Sequence, residues 1–96
     1  MTVKEVLNTK RDDILRICAK HGTHNVRVFG SVARGEADEH SDVDLIVEFG
    51  PDLSLLDHAA LWLELQELLG PNVDVVSDRG LKPRIRDRVL QEAMPL

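Results

Sequence analysis

The sequence predicts an α/β domain in which helices flank a small mixed three-stranded sheet, in the order α-β-α-β-α-β-α. Long segments with apolar residues at the helical period alternate with short β-rich runs, and Gly or Pro closes most of them. The direct return from the first strand to the second makes the sheet mixed rather than wholly parallel. At 96 residues, the chain is predicted to form a single domain, 1–96.

The chain is predicted to start with an amphipathic helix from Thr2 to about His21. Thr2 is placed to cap its start, and Gly22 to end it in a left-handed conformation. The first strand, Val26 to Phe29, is short and rich in β-formers, and Gly30 stops it.

The segment after this strand is predicted to hold a short helix, a loop and the second strand. The sequence SVAR, which begins at Ser31, provides the first turns of the helix, and Gly35 interrupts it. Residues 36–41 form a polar acidic loop, and Val43 to Phe49 form the second strand.

The second half is predicted to contain a long helix, a strand and a final helix. The long helix is capped by Ser54 or Asp52 and runs to about Leu69. Its apolar residues fill more than one narrow stripe, which leaves a surplus for contact with another chain. Val73 to Val76 is the third strand, and Lys82 to about Ala93 is helical.

Composition excludes several classes of function. The formal net charge is −5 and aromatic residues make up 3% of the chain, so direct nucleic-acid binding through a basic or base-stacking surface is not expected. Cys18 is the only cysteine, which excludes an internal disulfide and favours a buried thiol. No signal peptide or membrane-spanning run is evident, so we expect a cytoplasmic protein without membrane contact.

Three aspartates on strands point to a metal site. Asp42 and Asp44 share one face of the second strand with Ile46, while the apolar residues between them face the other way. Asp74 stands between valines on the third strand. Clustered carboxylates repel one another unless a cation neutralises them, and an all-oxygen ligand set favours Mg2+ or Mn2+ over zinc.

The turn after the first strand is suited to phosphate. Gly30 allows close approach of the backbone, and Ser31 offers a hydroxyl and exposed N–H groups at the start of the predicted short helix. Arg34 adds a positive charge on the same side. A phosphate held between this turn and a metal ion would be ready for in-line attack.

These motifs carry a resemblance to a known family. GSVARG, then SDVDL, then the strand aspartate of VDVV resemble the signature of the DNA polymerase beta-like nucleotidyltransferase superfamily. The small size and the ending LKPRIRDRVLQEAMPL resemble its minimal nucleotidyltransferase (MNT) branch, the antitoxins paired with HEPN-domain toxins. The resemblance covers nearly the whole chain from Val26 onward.

The resemblance implies a role for each matching residue. Gly30 and Ser31 would contact the triphosphate of bound ATP, and Asp42 and Asp44 would hold two divalent ions that bridge it. Asp74 would coordinate one ion and help to activate the attacking hydroxyl. The implied reaction transfers AMP from ATP to the hydroxyl of a tyrosine on the HEPN toxin, and this modification neutralises the toxin.

Other readings of the sequence stay open. The protein could neutralise its partner by binding alone, for which the leucine-rich helix and the acidic charge are suited. Transfer of a nucleotide to a small antibiotic is disfavoured because no second domain shapes such a pocket. Self-association is left open.

The remaining polar and aromatic residues can each be assigned either an ordinary structural role or a functional one. The four histidines are dispersed and fit surface or capping roles, although His40 precedes the SDVD motif. The basic residues Lys82, Arg84, Arg86 and Arg88 fit a solvated helix face, with Lys82 or Arg84 as candidate phosphate or partner contacts. Trp62 fits either the core or an interface.

Overall fold

The computed structural model describes residues 3–36 and 42–96, with side chains from residue 5 onward in the first range. The predicted Thr2 cap, most of the acidic loop and His40 lie outside the described residues. The elements found in the described ranges are α1 (Val3–Lys20), β1 (Thr23–Phe29), β2 (Val43–Phe49), α2 (Leu55–Leu69), β3 (Val73–Ser77), a 3-10 turn (Asp78–Gly80), α3 (Pro83–Glu92) and β4 (Met94–Pro95).

The strands form one mixed sheet in the order β3-β2-β1-β4. β1 is antiparallel to both β2 and β4, whereas β2 is parallel to β3. The parallel pair needs a crossover connection, and α2 provides it. The predicted mixed α/β class is therefore confirmed, and β3 lies at one edge of the sheet.

Two details of the predicted element order are wrong. The sheet has a fourth strand, because Met94 and Pro95 return to pair with Val28 and Arg27 of β1. The expected short helix after β1 is instead a hydrogen-bonded turn over residues 31–35. This segment ends at Gly35, whose φ of 73° is left-handed, so too few residues are available to nucleate a helix.

The core lies between one face of the sheet and the helices α1 and α2. Its fully buried members include Ile14, Leu45, Val47, Leu61 and Leu65. The prediction that the apolar face of β2 packs inward is confirmed. Burying such side chains is the dominant favourable contribution to folding, at about 1.5–3 kcal/mol for each Leu, Ile or Val.

Two further buried residues are Ile46 on β2 and Cys18 on α1. Ile46, on the same strand face as Asp44, is 1% exposed, so the acidic face of β2 is covered further along the strand. Cys18 is buried, as predicted, and burial raises the pKa of its thiol although a hydrogen bond with Thr23 opposes the shift.

Helix α2 begins at a capping box. Ser54 is the N-cap: its hydroxyl accepts a hydrogen bond from the Asp57 N–H, and the Ser54 N–H donates to Asp57 Oδ2. Of the two predicted caps, Ser54 is therefore the one used. Among the helices in the described residues, none combines the length and the apolar character needed to cross a bilayer.

Candidate active site

The turn that follows β1 is held by its own backbone. The N–H of Arg34 donates to the carbonyl of Gly30 at 3.1 Å, and the N–H of Glu36 donates to the carbonyl of Ser31 at 2.9 Å. Gly30 adopts a φ of 74°, the left-handed region that residues with a side chain rarely adopt. The turn thus starts with a sharp change of direction directly at the end of β1.

Gly30 is also the residue that lies against Asp44. A Cβ atom placed on Gly30 would come within 2.5 Å of Asp44 Oδ2, which is closer than such atoms approach in real proteins. The contact arises because Phe29, the last residue of β1, is the cross-strand partner of Asp44. The backbone angle therefore favours glycine here, and any side chain would also have to displace the Asp44 carboxylate.

Asp74 lies next to Asp44 in the sheet. The two residues are paired in register across the parallel strands β2 and β3, where neighbouring strands run about 4.8 Å apart. Asp44 is half-buried, Asp74 is exposed, and Asp74 Oδ1 accepts a hydrogen bond from the Val75 N–H at 3.0 Å. We call Gly30, Asp44 and Asp74 the aspartate corner.

Asp42 stands just before β2 and is exposed. Its charge still acts on the corner: the pKa of Asp44 is raised above its ordinary value chiefly by burial, then by Asp74 and then by Asp42, while Arg34 lowers it. The structure therefore brings the three predicted carboxylates into one electrostatic neighbourhood.

Arg34 has two partners in the structure. Its Nε atom lies 3.2 Å from Glu36 Oε2, and one terminal nitrogen lies 3.4 Å from Glu92 Oε2. Glu92, the last residue of α3, was not foreseen as part of this region, because no local sequence signal links two residues that are 58 positions apart. The position of Glu92 beside Arg34 depends on the C-terminal residues returning to pair with β1 as β4.

The donor chemistry of the region fits a divalent cation. The carboxylates of Asp42, Asp44 and Asp74 supply oxygen ligands alone, and a cation would offset both the burial and the repulsion that raise the pKa of Asp44. Within residues 3–36 and 42–96, no three His, Cys, Asp or Glu side chains form a ready-made metal site.

The fold and the spacing of these residues agree with sequence comparison. The nucleotidyltransferase domain family matches residues 11–94, and the chain belongs to that family. It is accordingly an enzyme of the nucleotidyltransferase class.

Within that class, the full-length similarity is to protein adenylyltransferases. A Methanocaldococcus jannaschii protein whose provisional name is protein adenylyltransferase is 44% identical over 92% of this chain and 95% of its own length. The protein adenylyltransferase MntA of Thermococcus cleftensis is 37% identical over 98% of this chain and 95% of its own length.

Two solved structures share the architecture. One, provisionally described as a minimal nucleotidyltransferase, is 59% identical with a TM-score of 0.86, covering 96% of this chain and 94% of that chain. The other is a complex of the tri-AMPylated Shewanella oneidensis HEPN toxin with MNT antitoxin. Its similarity, 18% identity with a TM-score of 0.70 over 92% of this chain and 69% of that chain, shows the common fold alone.

Proposed function

We propose that this protein transfers AMP from ATP to a tyrosine hydroxyl of a partner HEPN toxin and neutralises the toxin by that modification. The observation that carries the proposal is the aspartate corner, where a glycine turn suited to phosphate meets two carboxylates paired across β2 and β3. The names of the similar adenylyltransferases support AMP as the transferred group. The HEPN toxin of the Shewanella oneidensis complex is AMPylated, which supports a toxin as acceptor.

Each residue of the region has a defined task in this reaction. Because Gly30 has no side chain, the Asp44 carboxylate lies directly against the turn, which would place a metal ion held by Asp44 beside a phosphate bound at the turn. Ser31, in the same turn, would offer its hydroxyl and N–H to the triphosphate. Arg34 places a positive charge near Asp44 and near the incoming phosphates.

The carboxylates of Asp42, Asp44 and Asp74 would hold Mg2+ or Mn2+. When bound, the metal supplies neutralisation of the triphosphate charge and a lower pKa for the acceptor hydroxyl. The exposed carboxylate of Asp74 accepts the hydroxyl proton as the new O–P bond forms at the α-phosphorus. The bond from that phosphorus to the β-phosphate oxygen breaks, and pyrophosphate leaves.

The test combines the purified protein, the product of the adjacent gene, ATP and Mg2+, followed by intact mass measurement of the partner. The wild type should add AMP to the partner, and Asp44→Asn should not. Asp12→Asn is the matched control, because Asp12 is a solvent-exposed aspartate on α1. Absence of transfer by the wild type to a folded, bound partner would refute the proposal.

A second candidate, neutralisation by binding alone, is favoured by the exposed leucines of α2. In that case Asp42→Asn with Asp44→Asn would leave neutralisation of the toxin unchanged in a growth assay. Loss of neutralisation while binding is retained would exclude this candidate and support catalysis.

A further inference from the structure

Helix α2 divides its apolar residues between the core and the solvent. Leu61 and Leu65 are completely buried. In contrast, Leu55 and Leu56 are 83% and 81% exposed, and Leu63 is 56% exposed. These three, with the exposed Ala59, Ala60 and Trp62, follow one side of the helix at the helical period, and we call the six residues the α2 face.

Leucines at this level of exposure carry no structural benefit to the isolated fold. Single exposed leucines are common, but a continuous helical stripe of them marks a contact surface. The core is already closed by the opposite side of α2. The α2 face is therefore available to a partner without any rearrangement of the domain.

The charges around the α2 face are acidic. From Glu36 to Asp78 the sequence contains no Lys or Arg, and exposed Asp52 and Glu67 lie before and within α2. Asp57 keeps its negative charge readily, because hydrogen bonds from the Ser54 backbone and hydroxyl lower its pKa.

We call Asp52, Asp57 and Glu67 the acidic rim. Two cations of α1 contact α2 at Glu64 and at the Leu68 carbonyl rather than at this rim. Lys20 of α1 pairs with Glu64 at 2.5 Å, and Lys10 donates to the Leu68 carbonyl at 2.7 Å. Arg79 lies beside Leu55 at the N-terminal end of α2 and is the one cation of the described residues lining the groove there. A second copy of this chain would bring acidic rim against acidic rim, which disfavours it as the occupant.

The α2 face adjoins the edge strand β3 through Trp62. Its indole Nε1 donates to the carbonyl of Val73 at 3.0 Å, and Val73 immediately precedes Asp74 on the edge strand β3. A partner seated on the face therefore lies beside the strand that carries Asp74. The Asp74 side chain alternates with the buried Val73 and Val75, so it lies on the face of the sheet opposite α2, and a partner reaches it around the edge strand β3.

We propose that the α2 face is the docking surface for a protein partner whose own contact is an apolar patch rimmed by Lys and Arg. This inference rests on the proposed function for its acceptor and adds the surface that positions it. Apolar burial by Leu56 and Leu63 supplies affinity, while the acidic rim steers association. A partner that extends from the α2 face around the edge strand β3 brings the acceptor hydroxyl to Asp74.

The test is a double substitution, Leu56→Gln with Leu63→Gln, which leaves the net charge and the aspartate corner unchanged. The control is Ile85→Gln on α3, because Ile85 is 49% exposed and so comparable to Leu63. Binding to the product of the adjacent gene is measured by calorimetry, and binding of ATP with Mg2+ is measured beside it. The double variant should bind the partner about tenfold or more weakly with unchanged ATP binding, and Ile85→Gln should bind both normally.

Three results would overturn the inference. The double variant could bind the partner as tightly as the wild type. The wild type alone could sediment as a dimer that the double variant dissociates, which would assign the face to self-association. The association rate could also prove independent of NaCl concentration, which would remove the argument from the acidic rim.

The same experiment separates the docking surface from the proposed chemistry. If the wild type binds the partner through the α2 face but transfers no AMP, the proposed function fails and the docking surface stands. If AMP is transferred normally by the double variant at low partner concentration, the docking surface fails and the proposed function stands.

Discussion

The aspartate corner and the α2 face differ in how far neighbouring residues constrain them. At the corner, Gly30 has a left-handed backbone, and a side chain there would have to displace the Asp44 carboxylate. On the α2 face, the exposed leucines contact mainly solvent. The fold itself therefore fixes the proposed site of chemistry, whereas the proposed surface for a partner is free to vary without cost to folding.

The largest effect should come from the corner. Asp44→Asn keeps the size of the side chain but removes its charge, and AMP transfer should fall by about a thousandfold or more. Thermal unfolding should remain cooperative, since the half-buried carboxylate carries a charge that the fold does not favour. A variant with normal transfer rates would show that Asp44 is not part of the chemistry.

The second largest effect should be the difference in stability between a substitution on the buried side of α2 and one on its exposed side. Leu61→Ala opens a cavity in the core and should lower the free energy of unfolding by about 2–5 kcal/mol. Leu63→Ala, two positions on but exposed, should change it by less than about 0.5 kcal/mol. Urea unfolding of both variants checks the difference. Equal destabilisation would mean that Leu63 also supports the fold.

Alanine substitutions at two glycines of the same turn separate the energetic cost of a left-handed backbone from the cost of the contact with Asp44. Gly30 and Gly35 have φ values of 74° and 73°, but a Cβ on Gly35 would meet nothing within 4 Å. Gly35→Ala should cost about 1–2 kcal/mol from the left-handed backbone, and Gly30→Ala should cost the same plus the small amount needed to rotate the Asp44 carboxylate aside. Chemical unfolding measures both costs, and a smaller cost at Gly30 than at Gly35 would contradict the contact with Asp44.

Acid should act in opposite directions on aspartates of the two regions. Donation from Ser54 lowers the pKa of Asp57, so its contribution to stability exists above the ordinary value of 3.8 and is lost as the pH falls below it. Burial raises the pKa of Asp44, so its charged form costs stability at neutral pH and that cost disappears as the pH falls through the raised pKa.

The measurement is urea unfolding of Asp57→Asn and Asp44→Asn against pH, with a chelator present. The wild type should lose its advantage over Asp57→Asn on acidification and should gain relative to Asp44→Asn. Parallel pH profiles for both variants would contradict the assigned environments.

The smallest effect should follow from the pair between Arg34 and Glu92. Glu92→Gln removes an exposed ion pair, so the free energy of unfolding should change by less than about 1 kcal/mol. Because Arg34 then loses one competitor for phosphate, ATP should bind somewhat more tightly. Calorimetric titration with ATP and Mg2+ checks this, and weaker binding would show that Glu92 orients Arg34 usefully.

Local sequence signals predicted most of the fold. The strand bounds of β2 and the Ser54 cap follow from nearest neighbours in the chain, so the sequence could reveal them. The short strand β4 could not be foreseen, since Pro95 has no N–H for a ladder and the strand forms only through long-range pairing with β1. The Glu92 contact with Arg34 depends on the same pairing.

The candidate site likewise combines residues that the sequence predicted with a contact that the sequence could not reveal. Alternation along β2 predicted that Asp42 and Asp44 share a side, and the motif pointed to Asp74. The contact between Gly30 and Asp44 is a matter of strand register, which the sequence of either segment alone does not contain. The roles of Gly30, Ser31, Arg34 and the aspartates in catalysis stay predictions until the substitutions above are measured.

The buried position of Cys18 gives the domain a built-in reporter. Its thiol is the only one in the chain, is shielded between α1 and the rest of the core, and has a raised pKa that disfavours the reactive thiolate. An alkylating reagent can therefore modify it only when the domain opens. The rate of labelling reads out the opening equilibrium of any variant without an added probe, even while a partner covers α2.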